Sequence, residues 1–254
     1  KVNLQLSVGP LASDGYHEVV SVFQAISIFD DVTVKYGDEG SGITLSVSGS
    51  ITNGVPLDSS NLAYRAAQIM IDRYHLSPDI DIHIKKEIPV AGGMAGGSAD
   101  AAGVIVALDA LCELSLSRDE MEHIGSTLGA DVPFSIAGGI AIGRGRGDEL
   151  TPALARGNYH WVVALAGSGL STPAVYGECD RLREGMDISR PQVSELLMQA
   201  LRAGDAKAVG AAIVNDLQAA SCSLRPALRL VLDVGDEYGA CLLYTSPSPR
   251  DLST

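Results

Sequence analysis

Residues Pro89 to Ala102 read PVAGGMAGGSADAA, with four glycines (Gly92, Gly93, Gly96 and Gly97) inside six positions. An alternating strand pattern, DIDIHI, precedes this run, and an apolar helical stretch ending near Leu114 follows it. Ser98 is placed as a natural N-cap of that helix. Glycine lacks the Cβ that would keep a phosphate away from backbone N–H groups. The helix that follows turns its unpaired N–H groups and the positive end of its dipole toward the same point. The chemistry these residues offer is the cradling of an anion.

Two common phosphate motifs do not fit. Gly92 and Gly97 have the Walker A spacing, but Ser98 stands where that motif requires lysine. The dinucleotide pattern fails because Ala91, not glycine, lies two residues before Gly93. A close-packed turn is the bland alternative for any glycine cluster. The strand before and the helix after favour the anion cradle here.

The elements that must position the loop are legible in outline. Strands are expected over Val2–Val8, within Val19–Tyr36, and over Ile43–Val47 and Ile80–Ile84. Apolar spacing predicts a helix over Asn61–Tyr74 with Asn61 as its cap, and Ser117 and Glu120 form a capping box for a helix reaching Leu128. GADVPFS reads as a non-helical turn, and Gly139–Gly143 as a short strand. A further strand is expected in WVVALAG from Trp161. Ser189 and Gln192 are placed ahead of a helix over Ser194–Arg202, and two more helices are expected over Ala206–Val214 and Pro226–Tyr238. Pro152 and Gly157 suggest a boundary between a mixed α+β half and a mostly helical one.

Composition excludes several classes. A net charge of −13 argues against wrapping a nucleic acid backbone. Cations for a phosphate ligand must then be local, and Lys85 and Lys86 just before the loop have a better claim than Arg144 and Arg146 in GRGRG. Mean hydropathy is +0.18, yet no uninterrupted apolar run reaches the roughly 18 residues of a membrane span. The opening KVNLQLSVGP lacks the apolar core of a signal peptide. Cys112, Cys179, Cys222 and Cys241 are widely spaced, which suits reduced thiols. A cytoplasmic protein with no membrane or nucleic acid partner is expected, as a monomer or weak homodimer.

Three segments together resemble the GHMP kinase superfamily: KVNLQLSVG…DGYHEVVSVFQAISIFDDVTV, PVAGGMAGGSADAA and LGADVPF. The similarity runs from Lys1 to about Ala240, and DGYHE is its most specific part. The resemblance implies an α+β, two-domain fold with the active site in the interdomain cleft. Its domains are expected at 1–152 and 153–240. It implies transfer of the ATP γ-phosphoryl to the 2-hydroxyl of 4-diphosphocytidyl-2-C-methyl-D-erythritol, a step in non-mevalonate isoprenoid synthesis.

The same resemblance assigns residues. Lys1 and Asp131 match the catalytic lysine and aspartate. Pro89, Val90, Ala91, Gly92, Gly93, Met94, Ala95, Gly96, Gly97, Ser98 and Ala99 match the ATP loop, and Asn61 and Lys86 match positions flanking the adenosine. Asn3, Asp14, Tyr16, His17, Thr172 and Tyr176 match the substrate site, with Tyr16 and His17 reading the cytosine. Mg²⁺ is expected with ATP, with the Ser98 hydroxyl as the candidate ligand. An aspartate is a weak base, so it serves only if proton loss accompanies transfer, and a neighbouring lysine would keep it ionised.

The chain departs from the family after Ala240, where a third glycine-rich motif of the Ser-Gly-Ser-Gly-Pro kind is expected. CLLYTSPSPRDLST stands there instead. A non-native or disordered tail over 241–254 and an incomplete C-terminal domain are therefore expected. Two alternatives stay open: a homoserine- or mevalonate-type kinase, which DGYH argues against, and a nucleotide-binding protein without turnover.

Overall fold

The computed structural model describes residues 1–13, 15–50, 52–90, 92–166 and 169–240. Asp14, Ala91 and the expected tail at 241–254 lie outside the described residues. In chain order the elements are β1 (Val2–Leu11), β2 (His17–Gln24), β3 (Asp31–Tyr36), β4 (Ile43–Gly49), α1 (Leu62–Tyr74), β5 (Ile80–Lys86), α2 (Gly96–Leu111), α3 (Arg118–Leu128) and α4 (Val132–Ala137). There follow β6 (Ile140–Arg144), β7 (Glu149–Pro152), α5 (Thr172–Leu182), α6 (Glu195–Ala203), α7 (Ala206–Ala212), β8 (Val214–Asn215), α8 (Gln218–Leu224) and α9 (Ala227–Glu237). None of these helices is long and apolar enough to cross a membrane.

Among the described residues the chain packs as two units: Ile26–Gly138 form one, and Lys1–Ala25 join residues 139–240 in the other. This differs from a division at 152. Strand pairing is the reason: β2 pairs antiparallel with β6, Ser21 opposite Gly143, and Ala25 donates its N–H to the Gly139 carbonyl. The first 25 residues and the strands around Gly143 therefore share a sheet.

In the Ile26–Gly138 unit, β5 is the centre of a three-stranded sheet, antiparallel to β3 and parallel to β4. The alternation of IDIHI sends Ile80, Ile82 and Ile84 into one core. That core is completed by Ala63, Ala66, Ala67 and Met70 of α1 and by Ala101, Val104, Ile105 and Leu108 of α2. α3 adds Ile124 and Leu128, and α4 adds Val132. The small alanines of α1 and α2 let these two helices lie close together.

In the other unit the strand order is β7-β6-β2-β1-β8, with β1 and β8 parallel. β1 is buried on both faces. Leu6 and Val8 pack with Val19, with Val175 and Cys179 of α5, and with Leu217 and Ala220. An irregularity between Asn3 and Gln5 leaves Asn3, with Lys1, on the face of Leu6 and Val8 and turns Gln5 to the other; all three are polar and buried. Burying polar side chains is unfavourable unless they are paired, so these positions are built for more than packing.

Local signals held where side chain and backbone partner are close in sequence. Asn61 caps α1 by accepting from the Ala63 amide, and Ser117 and Glu120 close both bonds of a capping box. Four expectations fail. GADVPFS is not a turn throughout, because α4 begins at Val132; Pro133, in the first turn, has the φ a helix start needs. Residues 161–166 form no strand, and Val162 is fully exposed: an apolar run with no partner strand has nowhere to place its ladder bonds. Ser194, not Ser189, caps α6. Helix α2 stops at Leu111, with Glu113 and Ser115 in the left-handed region just beyond.

Gly103 marks where α2 presses on β3. A Cβ built there would fall 2.8 Å from Val32 Cγ2. Alanine would gain about 1 kcal/mol of helix propensity, but overpacking a filled contact costs roughly 1–3 kcal/mol. Gly103→Ala is therefore expected to lower the urea midpoint with an unchanged m-value, a net loss of about 1 kcal/mol.

Candidate active site

The glycine turn is held from behind. β5 ends at Lys86, whose ammonium lies between the carboxylates of Asp30 and Asp100, donating to Asp100 Oδ2 at 2.8 Å. All three side chains are almost completely buried. Asp30 Oδ1 accepts the amide N–H groups of Glu87 (2.6 Å) and Ile88 (2.8 Å), which fixes the chain where it leaves the strand. At the far end of the turn, a Cβ on Gly96 would sit 3.2 Å from both Lys86 Nζ and Ile88 Cγ2. Glycine at 96 thus lets the first residue of α2 settle onto the lysine.

Ser98 is not the N-cap of α2. The cap is Ala95, in the left-handed region at φ 58°, with no side-chain bond to the helix. Gly93 takes φ 69° two residues earlier. Two residues at positive φ wind the turn tightly enough to start the helix at Gly96, which moves Ser98 into its first turn, buried. An alanine cap supplies no side-chain oxygen to the first-turn amides.

Burial pushes the Asp100 carboxyl up to about 7; the Lys86 ammonium offsets this only in part, and the Asp30 charge adds to it. Burial also acts to raise Asp30, but the Ile88 amide, the Lys86 ammonium and the Glu87 amide outweigh it and hold that carboxyl below its ordinary range. Asp100 Oδ1 is buried without a hydrogen-bond partner among the described residues.

Asp131 is buried directly ahead of α4, where its carbonyl accepts from the amide and hydroxyl of Ser135. Asn61 is committed to the framework: Oδ1 takes the Ala63 amide and Nδ2 donates to the Pro56 carbonyl at 2.7 Å. Lys86 is committed likewise. Both side chains, expected to flank the nucleotide, also hold α1 and the turn in place.

In the other unit, Lys1 is only 9% exposed, not a loose end. Its ammonium donates to Asn3 Oδ1 at 2.8 Å and lies 5.4 Å from the Phe23 ring centre, and Asn3 Nδ2 donates to Ser21 Oγ. His17, at the start of β2, donates from Nε2 to Asp180 Oδ1 at 2.8 Å and lies 5.1 Å from the Tyr176 ring. In the neutral ring a proton on Nε2 leaves Nδ1 as an acceptor. Thr172, Tyr176 and Asp180 recur every four residues and share one face of α5. Arg183, at the end of α5, donates to the Val8 carbonyl and pairs with Asp216, which ties this helix to β1. Tyr16 and His17 line a depression of about 340 Å³ with Arg146 and Asp148. Asp180 was not a sequence candidate; its place one turn after Tyr176 was the available signal.

The pH dependence of stability follows from Asp100. Its folded-state value lies above the unfolded value of about 3.9, so between about pH 4 and pH 7 the native state binds more protons than the unfolded one. Stability contributed by the protonated form is lost as pH rises through that window. Asp100→Asn removes this slope. Its stability relative to the natural chain should therefore improve by roughly 2–4 kcal/mol between about pH 4 and pH 8, measured by denaturant titration.

Comparison with known proteins fits this geometry. The family model for the GHMP kinases N terminal domain matches residues 61–139, from the α1 cap through the glycine turn and Asp131. The chain is 49% identical over 248 residues to the 4-diphosphocytidyl-2-C-methyl-D-erythritol kinase of Streptomyces avermitilis, covering 98% of this chain and 82% of that protein. It is 48% identical over 242 residues to the enzyme of the same name from Mycolicibacterium smegmatis, covering 94% and 74%. A crystal structure of a 4-(cytidine 5'-diphospho)-2C-methyl-D-erythritol kinase superposes with a TM-score of 0.68 at 30% identity, over 94% of this chain and 81% of that one. The chain belongs to the 4-diphosphocytidyl-2-C-methyl-D-erythritol kinase family of GHMP kinases.

Proposed function

We propose that the protein transfers the γ-phosphoryl group of ATP to the 2-hydroxyl of 4-diphosphocytidyl-2-C-methyl-D-erythritol. The observation that carries this reading is the braced turn without a side-chain cap at the start of α2, in a unit that also buries Asp131 ahead of α4. Phosphoryl transfer needs little covalent help from a protein. It needs the phosphates held, their charge stabilised and the acceptor hydroxyl oriented.

The turn from Pro89 to Ala99 is assigned to the phosphates. Asp131 accepts the hydroxyl proton as the O–P bond forms. Lys1, fixed by Asn3, supplies positive charge to the reacting oxygens. His17, Tyr16, Thr172 and Tyr176 hold the cytosine end; the acceptor Nδ1 of His17 suits the exocyclic amine of cytosine better than a carbonyl. Asp180 orients His17 by accepting a hydrogen bond from its Nε2–H. Mg²⁺ fits as an ion carried on the nucleotide, because among the described residues no group of three or more His, Cys, Asp or Glu is gathered to hold a metal. The Ser98 hydroxyl is its assigned protein ligand. When bound, the ion neutralises charge on the phosphates.

Coupled ADP release separates this reading from its relatives. ADP should form with the diphosphocytidyl substrate and not with homoserine or mevalonate; the opposite preference would overturn the substrate assignment. Asp131→Asn should cut kcat by roughly 10²–10⁴ while ATP affinity changes little. Retained turnover would remove Asp131 from its role. Asp180→Ala should raise the KM for the diphosphocytidyl substrate about ten-fold with a smaller effect on kcat, because it releases His17 rather than any reacting group.

A further inference from the structure

We propose that Phe23 is a positioning residue for phosphoryl transfer: the face of its ring holds the Lys1 ammonium, and the glycines of GRGRG hold the ring. The inference rests on assigning Lys1 to the reacting oxygens, as above.

Strand pairing brings the two side chains together. Asn3 lies opposite Phe23 where β1 runs antiparallel to β2. The Lys1 ammonium donates to Asn3 Oδ1 at 2.8 Å and lies over the Phe23 ring, 5.4 Å from its centre. That is within the roughly 6 Å over which a ring face attracts a cation. Both residues are buried, and such an attraction is strongest out of water. Asn3 is itself fixed, because its Nδ2 donates to Ser21 Oγ at 3.3 Å. An amide oxygen and a ring face are neutral holds. Lys86, by contrast, lies against two carboxylates. A carboxylate competes with phosphate oxygens for an ammonium, whereas Asn3 and Phe23 locate Lys1 without adding negative charge to cancel it.

The ring is held at its edge by the turn between β6 and β7. Gly143 of β6 lies opposite Ser21 of β2. A Cβ built on Gly143 would fall 2.7 Å from Phe23 Cε2 and 2.5 Å from the Gly147 carbonyl oxygen. Both distances are shorter than a carbon tolerates, so a side chain at 143 would displace the ring or the turn. Gly147 takes φ 102°, in the left-handed region, and a Cβ there would lie 3.6 Å from Phe23 Cζ. Glycine at both positions lets the backbone close on the ring from one side. Phe23 is 1% exposed, so its ring has little room to turn away from Lys1. GRGRG, which the sequence offers as a source of cations, thus contributes through its glycines.

The test replaces Phe23 alone, in the full chain, with fluorinated phenylalanines inserted at that position. Fluorine draws electron density from the ring face and weakens its hold on a cation, with little change in size. With ATP, Mg²⁺ and the diphosphocytidyl substrate, log kcat should fall in step with one, two and three fluorines, roughly ten-fold over the series. KM for either substrate should change less than about two-fold, and the melting temperature should stay level. The 2-, 3- and 4-fluoro isomers should give equal rates, because they share one electronic effect but touch different neighbours. A merely structural role would separate the isomers and follow melting temperature instead. Lys1→Met, which keeps the stem and loses the charge, should lower kcat by roughly 10²–10³. If it does, a kcat independent of fluorine number, or unequal isomers, overturns the inference and leaves the role of Lys1 intact. Undiminished turnover by Lys1→Met, or no turnover by the natural chain, overturns both.

Discussion

The ammonium of Lys86 lies between two buried carboxylates directly behind the first residue of α2, and the glycine turn depends on it. A cradle made of backbone has no side chains of its own to stiffen it. Glycine also gives the chain more freedom than any other residue. Something outside the turn must remove that freedom, and here it is done at both ends by one charge cluster. Asp30 fixes the departure from β5, and Lys86 and Asp100 fix the arrival at α2. The cost is a pair of aspartates sharing one lysine out of water, which only good geometry makes tolerable.

This arrangement changes what a lysine beside a phosphate loop means. In the Walker pattern the lysine belongs to the phosphates. In this chain the lysine ahead of the loop is paired with Asp30 and Asp100, and we assign the positive contribution at the turn to amides and the helix dipole. In the other unit, Lys1 and Asn3 are buried polar groups at the start of β1, on the face that further along carries the core residues Leu6 and Val8. The helix carrying Tyr176 is anchored to that same strand by Arg183. Both units thus place polar groups on rigid elements that packing holds.

Much of this was legible in the sequence where cause and effect lie a few residues apart. Asn61 as a cap, the Ser117–Glu120 box and the alternating isoleucines of β5 each declare themselves within one turn or one strand. The resemblance supplied identities that spacing could not, such as Asp131 in an unremarkable Gly-Ala-Asp-Val-Pro. The positive-φ cap at Ala95 was hidden, because nothing about alanine advertises that backbone state. The Asp30–Lys86–Asp100 cluster was hidden for a different reason. Asp30 lies 56 residues before Lys86, and only the pairing of β3 with β5 brings them together. For the same reason Lys86 read as a spare cation near a phosphate site.

The most direct test of the central claim is a crystal structure of the full chain with a non-hydrolysable ATP analogue. Phosphate oxygens should lie against the backbone N–H groups at the start of α2, with Lys86 Nζ still between Asp30 and Asp100. A Lys86 ammonium withdrawn from the aspartates and bonded to the nucleotide, or phosphates bound away from this turn, would contradict it.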